Sequence, residues 1–333
     1  MSSDPQRILL IRLKSIGDVV LTLPAVHALR QNYPSAKITF LTSKENSGLL
    51  RGFREVDEVI ALDRAALRAG NPAKVVPAFL GLLHRLRAGK FSLVVDFQGY
   101  GETAWLTRIT GARRRWGSVY GQGRRWAYTH GVNRDDRLHF VDWNLSLLEQ
   151  CGLPPAKIRN EFVLPEDSLA QAKQFFAKSG LDPAKPTFFI QPLTSSPHKN
   201  WPLENFIVLA QYWQAHGVQI LFGGGPAEAV ALEPARQAGF VVAAGVPLMV
   251  TGGLVKLSTV IAGGDTGILH LAVALGRRVV MLAPSAVYKK TFPFEHPDWA
   301  LVPERKGIEN IEVATVIEAC SQAFRDRGVI LHQ

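Results

Sequence analysis

Residues 8–13 read Ile-Leu-Leu-Ile-Arg-Leu, and the glycine-containing loop Lys14–Asp18 (KSIGD) follows them directly. A short apolar run of this kind predicts a buried strand, and the amphipathic pattern from about Asp18 to Asn32 predicts the helix after it. A strand, a glycine loop and a helix in this order are typical of the first unit of a parallel α/β sheet. In such sheets, ligands bind at the loops that follow the carboxyl ends of the strands.

The alternation of strands and helices continues through the chain and restarts after a mixed segment at 157–167. Further apolar strand runs begin at Lys37, Glu58, Phe91, Thr187, Val218, Phe240 and Arg278. We therefore predict an α/β protein of the doubly wound type, with two Rossmann-like domains, residues 1–160 and 161–333, whose parallel sheets face each other across a cleft. A helix is predicted near residues 255–262, and the last helical stretch, residues 311–325, could pack on either domain.

Composition excludes several classes of protein. A chain of 333 residues that is 47% hydrophobic can bury sizeable cores, so a disordered chain is excluded. Its two cysteines, Cys151 and Cys320, are too few for a disulfide framework and fit a reducing compartment. The start lacks a signal-peptide pattern, and the uncharged stretch at 237–255 contains Pro247 and four glycines, which predicts a strand and turns instead of a membrane span. We expect a cytoplasmic protein.

The chain is basic, with 38 Lys+Arg against 28 Asp+Glu and a formal charge of +10. An excess of this size favours an anionic partner, either nucleic acid, a phosphorylated small molecule or an anionic membrane surface. The densest basic segment combines aromatic residues with five arginines, Arg113, Arg114, Arg115, Arg124 and Arg125. Taken alone, this segment is consistent with binding of single-stranded nucleic acid or with a solvated loop.

Two loops carry carboxylates that could act on a ligand. In the first, Gly17 permits close approach of a ligand to the backbone, and Asp18 lies in the first helical turn, where the helix dipole favours its ionised form. Such a carboxylate can accept a proton from a substrate hydroxyl, or it can be an ordinary helix acid. In the second, Glu228 follows three glycines and is either a sugar contact or a solvated acid. The absence of G-x-G-x-x-G in the first loop and of any Asp or Glu from Pro234 to Gly264 argues against NAD.

Two other loops in the second half are suited to a phosphate. The loop after the run at Thr187 carries a lysine and three hydroxyls within six residues, namely Thr194, Ser195, Ser196 and Lys199, although a polar surface turn would also explain it. In the segment GGDTG, Asp265 or Thr266 can cap a helix, and the flanking glycines expose backbone N–H groups as an anion cradle. His270, one turn after Thr266, is either functional or a core histidine.

These motifs occur together in a recognisable order: KSIGDVVLTLPAVHALR, the DFQG of 96–99, the hydroxyl-rich loop ending in KNWP, GGPAE, and GGDTGILHLAVALG. The ordered set resembles glycosyltransferase family 9, the ADP-heptose:lipopolysaccharide heptosyltransferases. The resemblance implies a GT-B fold and a reaction that inverts the sugar configuration without a metal or another cofactor. One departure is the segment Ala283–Ser285, which reads Ala-Pro-Ser where the family usually reads Gly-Pro-Thr.

The resemblance also implies roles for individual residues. Asp18 matches the proposed catalytic base. The residues that match the ADP-heptose donor site are Thr194, Ser195, Ser196, Lys199, Glu228, Met249, Asp265, Thr266, Gly267 and His270. The residues expected to bind the lipid A–Kdo acceptor of lipopolysaccharide are Lys14, Gly17, Gln98, Arg113, Arg114, Arg115, Arg124 and Arg125.

The basic segment then fits an anionic glycolipid acceptor better than a nucleic acid. We expect peripheral contact with the anionic inner membrane, with Trp116 and Trp126 at its interface. Two alternatives stay open at this point. The first is the same chemistry with another nucleotide sugar or another glycan acceptor, and the second is a non-catalytic module that binds a nucleotide or nucleic acid.

Overall fold

The computed structural model describes residues 4–68 and 72–329 and divides the chain into two compact units, Met1–Glu161 and Phe162–Gln333. Each unit contains a six-stranded parallel sheet. Its central strands are buried on both faces, which explains why they read as continuous apolar runs in the sequence. This is the predicted GT-B class of two Rossmann-like units.

The first sheet has the strand order β3-β2-β1-β4-β5-β6. Its strands are β1 (Arg7–Ile11), β2 (Lys37–Ser43), β3 (Glu58–Leu62), β4 (Leu93–Asp96), β5 (Arg114–Val119) and β6 (His130–Asn133). In this register Leu10 pairs with Phe40 of β2 on one side and with Val95 of β4 on the other. The chain reverses its direction of growth between β1 and β4, and such a switch point opens a crevice at the carboxyl ends of the strands.

The helices of the first unit are α1 (Ile16–Val20), α2 (Leu23–Asn32), α3 (Lys44–Ser47), α4 (Arg64–Arg68), α5 (Pro72–Ala88), α6 (Gly101–Ile109) and α7 (Phe140–Gln150). Helices α5 and α6 pack on one face of the sheet through Leu82, Leu86 and Leu106. Helix α2 contacts α7, and right-handed crossovers place this pair on the other face. The predicted single helix from Asp18 to Asn32 is interrupted between α1 and α2, because Pro24 occupies the first turn of a new helix.

The second sheet has the order β12-β11-β10-β7-β8-β9. Its strands are β7 (Thr187–Gln191), β8 (Gln219–Gly224), β9 (Val241–Ala244), β10 (Val260–Gly264), β11 (Arg278–Leu282) and β12 (Ala300–Leu301). The helices are α8 (Glu166–Lys178), α9 (Leu203–Ala215), α10 (Glu233–Gln237), α11 (Leu248–Leu257), α12 (Gly267–Ala274) and α13 (Val313–Asp326). The last helix, α13, packs on α9, β10 and β11, with Phe324 against Phe188 and Trp213.

Two local predictions are wrong. The helix predicted near residues 255–262 does not exist, since α11 ends at Leu257 and β10 begins at Val260. A short apolar run fits a buried helix and a buried strand equally well, and pairing with β7 and β11 makes this one a strand. The basic segment is not one loop, because Arg114–Val119 forms β5. Within the described ranges, no helix is both long and apolar enough to cross a bilayer.

Candidate functional site

The first cluster of polar groups lies where β1 and β4 end. The Arg12 guanidinium donates to the carbonyl of Phe97 at 2.7 Å and forms an ion pair with Oδ1 of Asp18 at 2.6 Å. The other carboxylate oxygen of Asp18 accepts from the backbone N–H of Ser15 at 2.7 Å and from its hydroxyl at 3.2 Å. The Asp18 side chain remains 25% exposed. The predicted base is therefore held in one orientation and stays accessible.

Gln98 connects the loop after β4 to the loop after β1. Its Oε1 accepts from the N–H groups of Leu13 at 2.8 Å and of Lys14 at 3.3 Å. Gln98 is itself buried, so the structure places this predicted acceptor residue underneath the loop that carries Lys14. Its contacts with the backbone of that loop give it a role in positioning the loop.

Asp96 stabilises the turn after β4 that contains Gln98 and Gly99. It accepts from the N–H groups of Gln98 and Gly99, both at 2.9 Å, and from the Tyr128 hydroxyl at 2.7 Å. Complete burial raises the pKa of Asp96, against the opposite influence of these donors. Gly99 has a positive φ of 68° and lies so close to Ser118 that no side chain fits there.

The five predicted arginines separate into two groups. Arg124 donates to the carbonyl of Gly99 at 3.2 Å, at the edge of the sheet that carries Asp18. Arg113, Arg114 and Arg115 lie at the start of β5, which is the opposite edge of a parallel sheet, and the structure does not bring them to Asp18. The Arg115 guanidinium donates to the carbonyl of Ala127 at 2.8 Å. The fifth arginine, Arg125, is exposed beside Trp126.

The aromatic residues of this segment separate in the same way. Trp116 is buried in β5, so the prediction that it contacts the membrane interface is wrong. Trp126, by contrast, is exposed. Trp116 begins the part of β5 that is buried throughout, residues 116–119, and the sequence did not reveal this strand.

Arg134, directly after β6, is a residue that sequence reasoning missed. Its guanidinium carbon lies 4.7 Å from the ring centre of Phe140, 5.2 Å from that of Trp143 and 5.6 Å from that of Tyr120. Burial lowers the pKa of this arginine. No signal in the sequence could have found it, because the cation lies among rings that only the tertiary fold brings together.

The second cluster lies where β7 and β10 end. Lys199 Nζ is 2.7 Å from Oδ2 of Asp265, and His270 Nε2 is 3.2 Å from the other oxygen, Oδ1. The Thr291 hydroxyl donates to Oδ2 of Asp265 at 3.0 Å. The Asp265 side chain is only 5% exposed. Burial acts to raise the pKa of Asp265, but the hydrogen bond and charge of His270, together with Lys199, outweigh it and hold that pKa well below its usual range.

The close approach of two loops builds this cluster. A Cβ at Gly264 would lie 2.7 Å from the carbonyl oxygen of Lys199 and 2.7 Å from Cγ2 of Thr194, so only glycine allows this fit. The Thr194 hydroxyl donates to the carbonyl of Ser196 at 2.8 Å and therefore shapes the loop from within. Ser195 is exposed at the tip of the same loop.

The start of α12 presents polar atoms that no protein group satisfies. Thr266 precedes Gly267, the first residue of the helix. Among residues 4–68 and 72–329, the buried Oγ1 of Thr266, Nδ1 of His270 and Oε1 of Gln191 find no hydrogen-bond partner. Buried polar atoms are nearly always paired, so these three are exceptions in the region around the Lys199–Asp265 pair.

Tyr288 belongs to the site, although sequence reasoning did not name it. It lies in a 3₁₀ segment, Ala286–Thr291, which follows β11. Its hydroxyl lies 3.2 Å from Nε2 of His198, and its ring centre lies 4.8 Å from Nζ of Lys199. The available signal was the unusual sequence after β11, where this chain departs from the family pattern.

Glu228 and Met249 extend the site along the sheet. Glu228 follows β8 and accepts from the N–H of Gly225 at 2.7 Å, and Met249 is buried in the first turn of α11, after β9. The strand order β10-β7-β8-β9 places Asp265, Lys199, Glu228 and Met249 in a row. The carboxyl ends of these four strands span about 14 Å, at about 4.8 Å per strand. In the part of the chain that the structure describes, no three His, Cys, Asp or Glu residues come together as a metal site.

Two six-stranded parallel sheets, each with polar groups at the carboxyl ends of its strands, are typical of the GT-B fold. The chain belongs to glycosyltransferase family 9 (heptosyltransferase), whose model matches residues 79–311.

Named relatives and solved structures agree with this assignment. The chain is 24% identical over 231 residues to the lipopolysaccharide core heptosyltransferase OpsX of Haemophilus influenzae, covering 67% of this chain and 61% of the relative. It is 27% identical over 214 residues to lipopolysaccharide heptosyltransferase 3 of Escherichia coli K12, covering 63% of this chain and 60% of the relative. The chain thus spans about three fifths of the length of these two relatives.

Solved structures share the fold. A family 9 glycosyltransferase from Veillonella parvula superposes with a TM-score of 0.84 at 22% identity, over 96% of this chain and 97% of that one. The ADP-heptose lipopolysaccharide heptosyltransferase II of E. coli superposes with a TM-score of 0.78 at 21% identity, over 97% of this chain and all of that one. The two-sheet architecture is therefore that of known heptosyltransferases.

Proposed function

We propose that this chain transfers a heptose from ADP-heptose to the lipid A–Kdo inner core of lipopolysaccharide, with inversion and without a metal or other cofactor. The observation that carries the proposal is the meeting of Lys199, Asp265 and the start of α12 at the edge of the second sheet, in a member of family 9. The relatives named above are themselves lipopolysaccharide heptosyltransferases. In this proposal residues 161–333 bind the donor and residues 1–160 bind the acceptor.

The donor half must stabilise a departing diphosphate. Its negative charge increases as the bond to the sugar breaks, and fixed cations and N–H donors lower the energy of that state. Asp265 holds the Lys199 ammonium in place with one contact, and an ammonium has two further N–H groups for phosphate oxygens. The backbone N–H groups at the start of α12, with Thr266 and Gly267, supply the remaining donors. Glu228 and Met249, further along the row, are assigned to the nucleoside.

The acceptor half supplies the base. The oxygen of an acceptor hydroxyl forms a bond to the anomeric carbon, and the bond from that carbon to the β-phosphate oxygen breaks, so its electron pair leaves with ADP. The hydroxyl proton passes to Asp18. Attack on the side opposite to the leaving group inverts the configuration. The contacts with Arg12 and Ser15 fix the direction in which the Asp18 carboxylate points.

The acceptor is a polyanion, and arginine forks match its phosphates and carboxylates. Arg124 lies nearest to the Asp18 loop, and Lys14 Nζ, 5.9 Å from the ring centre of Tyr100, lies on that loop itself. We assign these two residues to the acceptor, with Gly17 giving access, and we assign the other basic residues of the segment to longer-range attraction. The enzyme would work at the cytoplasmic face of the inner membrane and bind no nucleic acid.

A second candidate function is the same transfer with another nucleotide sugar. The observation that favours it is the segment after β11, where Tyr288 and Thr291 contact the donor residues in a sequence unlike the usual Gly-Pro-Thr.

Thermal shifts with ADP, UDP, GDP, NAD and a single-stranded oligonucleotide test the donor class, and ADP is expected to stabilise the protein most. Mass spectrometry of reactions with ADP-heptose and truncated lipopolysaccharides then tests the reaction, and a product heavier by one heptose is expected. Absence of a shift with every nucleoside diphosphate would refute the proposed function. A UDP or GDP preference would select the second candidate.

A further inference from the structure

The middle of α5 is a continuous apolar stretch. Residues 75–83 read Val-Val-Pro-Ala-Phe-Leu-Gly-Leu-Leu, without a single polar side chain. Val76, Phe79 and Leu80 follow the i, i+3, i+4 spacing of one helix face and are 53%, 42% and 57% exposed. A surface helix normally carries polar residues on its outer face, so this stretch departs from what folding alone requires.

Packing inside the unit does not explain the outer face of α5. The helix is anchored by Leu82 and Leu86, which are buried in the core beside Leu106 of α6. Val76, Phe79 and Leu80 therefore contribute little to the core. Single exposed apolar residues are ordinary, whereas neighbouring ones at the surface mark a binding surface.

Two exposed tryptophans lie on neighbouring elements. Helix α6 contacts both α5 and the 3₁₀ segment Gln122–Ala127. Trp105 of α6 and Trp126 of that segment are 60% and 48% exposed, and their ring centres are 4.9 Å apart in an edge-to-face arrangement. We call the five residues Val76, Phe79, Leu80, Trp105 and Trp126 the apolar surface.

The charge of the unit identifies the partner. Residues 1–161 contain 24 Lys+Arg and 14 Asp+Glu, so this unit carries the whole excess of +10. Exposed arginines adjoin the tryptophans in sequence, with Arg108 three residues after Trp105 and Arg125 next to Trp126. A second copy of the chain would bring the same positive charge to the contact, which disfavours self-association through this surface.

We propose that the apolar surface docks on an anionic lipid bilayer, with α5 lying in the plane of the interface. Phe and Leu side chains would enter the boundary between headgroups and acyl chains, and Trp indoles would stay at headgroup level. Arginines beside them would meet lipid phosphates. The apolar surface would make the membrane contact of the proposed function. Only the biological purpose of the docking rests on that function.

The topology gives this docking a consequence for catalysis. Helix α5 follows β3 and leads back to the start of β4, so its first half lies toward the carboxyl edge of the first sheet. The loop Lys14–Asp18 emerges from that same edge. Docking through Val76, Phe79 and Leu80 therefore brings the proposed base close to the membrane in which a glycolipid acceptor is anchored.

Sedimentation with vesicles tests the proposal directly. The whole protein is mixed with vesicles of phosphatidylcholine alone or with 30 mol% phosphatidylglycerol, and wild type is expected to bind the anionic vesicles only, about tenfold or more above background. Replacing Phe79→Ser together with Leu80→Ser is expected to reduce that binding about tenfold. The matched control, Val208→Ser with Val230→Ser, removes two exposed apolar residues from the second unit and should bind like wild type.

Further measurements separate docking from folding, self-association and catalysis. Both double variants should keep the far-ultraviolet circular dichroism and the ADP thermal shift of wild type, because neither change touches the donor site. If the Phe79→Ser/Leu80→Ser variant does not fold, Trp105→Ala with Trp126→Ala provides the same test from the neighbouring elements. Wild type that does not bind anionic vesicles overturns the proposal. So does a Phe79→Ser/Leu80→Ser or Trp105→Ala/Trp126→Ala variant that binds them like wild type. So does a wild-type dimer, seen by light scattering, that becomes a monomer in the Phe79→Ser/Leu80→Ser variant. A failed ADP shift with normal vesicle binding would instead count against the proposed function.

Discussion

The two units share a sheet architecture but differ in net charge. The first, Met1–Glu161, carries the whole excess of +10, whereas the second contains 14 Lys+Arg and 14 Asp+Glu and is neutral. The candidate site acids of the two units also differ, in the exposure of their side chains. Asp18 of the first unit is 25% exposed, and Asp265 of the second is 5% exposed and contacts three donors.

Under the proposed function, this difference would suit the two units to two kinds of ligand. A large polyanion needs charge spread over a surface, which acts at a distance and is screened by salt. A small donor needs a few charges at fixed points, and burial strengthens each contact. The fold brings loops together at the carboxyl edge of each sheet. The residues of those loops determine which ligand can bind there.

The largest expected effect comes from Asp18→Asn. The amide keeps the shape of the carboxylate but cannot accept the proton, so kcat of heptose transfer should fall about 1000-fold. The affinity for ADP, measured by calorimetry, should stay within about twofold, because the donor residues belong to the second unit. Glu45→Gln, an exposed acid in the first turn of the neighbouring helix α3, is the control and should leave both quantities unchanged. Normal turnover of the Asp18→Asn enzyme would contradict the assignment of the base to the first unit.

Asp265→Asn tests the buried half of the comparison. The substitution leaves Lys199 without its counter-charge, so at pH 7 the free energy of unfolding should fall by about 3 kcal/mol. Because the fold lowers the pKa of Asp265, its stabilisation is complete above the unfolded pKa of about 3.9 and is lost as the pH falls toward the folded value. The difference between variant and wild type in urea unfolding should therefore shrink from pH 7 to pH 3.

The exposed residue Asp298 provides the matched control for that series. Asp298→Asn, also in the second unit, should change the free energy of unfolding by about 0.5 kcal/mol or less at every pH. A gap for Asp265→Asn that stays constant down to pH 3 would mean that the Asp265 charge does not stabilise the fold.

The smallest effect on activity is expected from substitutions of Tyr288. They can remove the hydroxyl alone or the hydroxyl together with the ring. Tyr288→Phe removes the contact with His198 and keeps the ring near Lys199, so KM for the donor should change less than about twofold. Tyr288→Leu removes the ring as well and should raise KM about fivefold with little effect on kcat. Val287→Ser, at the exposed neighbouring position, should behave like wild type. Equal effects of Phe and Leu would show that the ring does not hold the lysine.

The sequence allowed the fold class to be predicted because the central strands are apolar throughout. The strands beginning at Glu58, Thr187 and Arg278 were placed at the correct positions. Strand β5 was missed because Arg114 and Arg115 begin it, and β10 was taken for a helix because its short apolar run carries no periodicity. In both cases the neighbouring strands, which single-sequence patterns do not contain, decide the structure.

The candidate site divides in a similar way. Asp18, Lys199 and Asp265 could be predicted as candidates from the sequence, because each follows a strand in a loop with unusual composition. Their partners could not be found. Arg12 lies within the predicted strand run 8–13, which carries no sign of a partner, and Thr291 contacts Asp265 from 26 residues away along the chain. The pairing of such groups is a property of the tertiary fold.

The close contact at Gly264 fixes the distance between two loops of the candidate donor site. The two loops approach each other there until only a hydrogen atom fits between the backbone of β10 and the loop that carries Lys199. Glycine at position 264 therefore sets the spacing between Lys199 and the start of α12. Any larger side chain there would collide with the loop that carries Lys199. A larger residue would push the two loops apart, and under the proposed function this would change the distance that the donor diphosphate has to span.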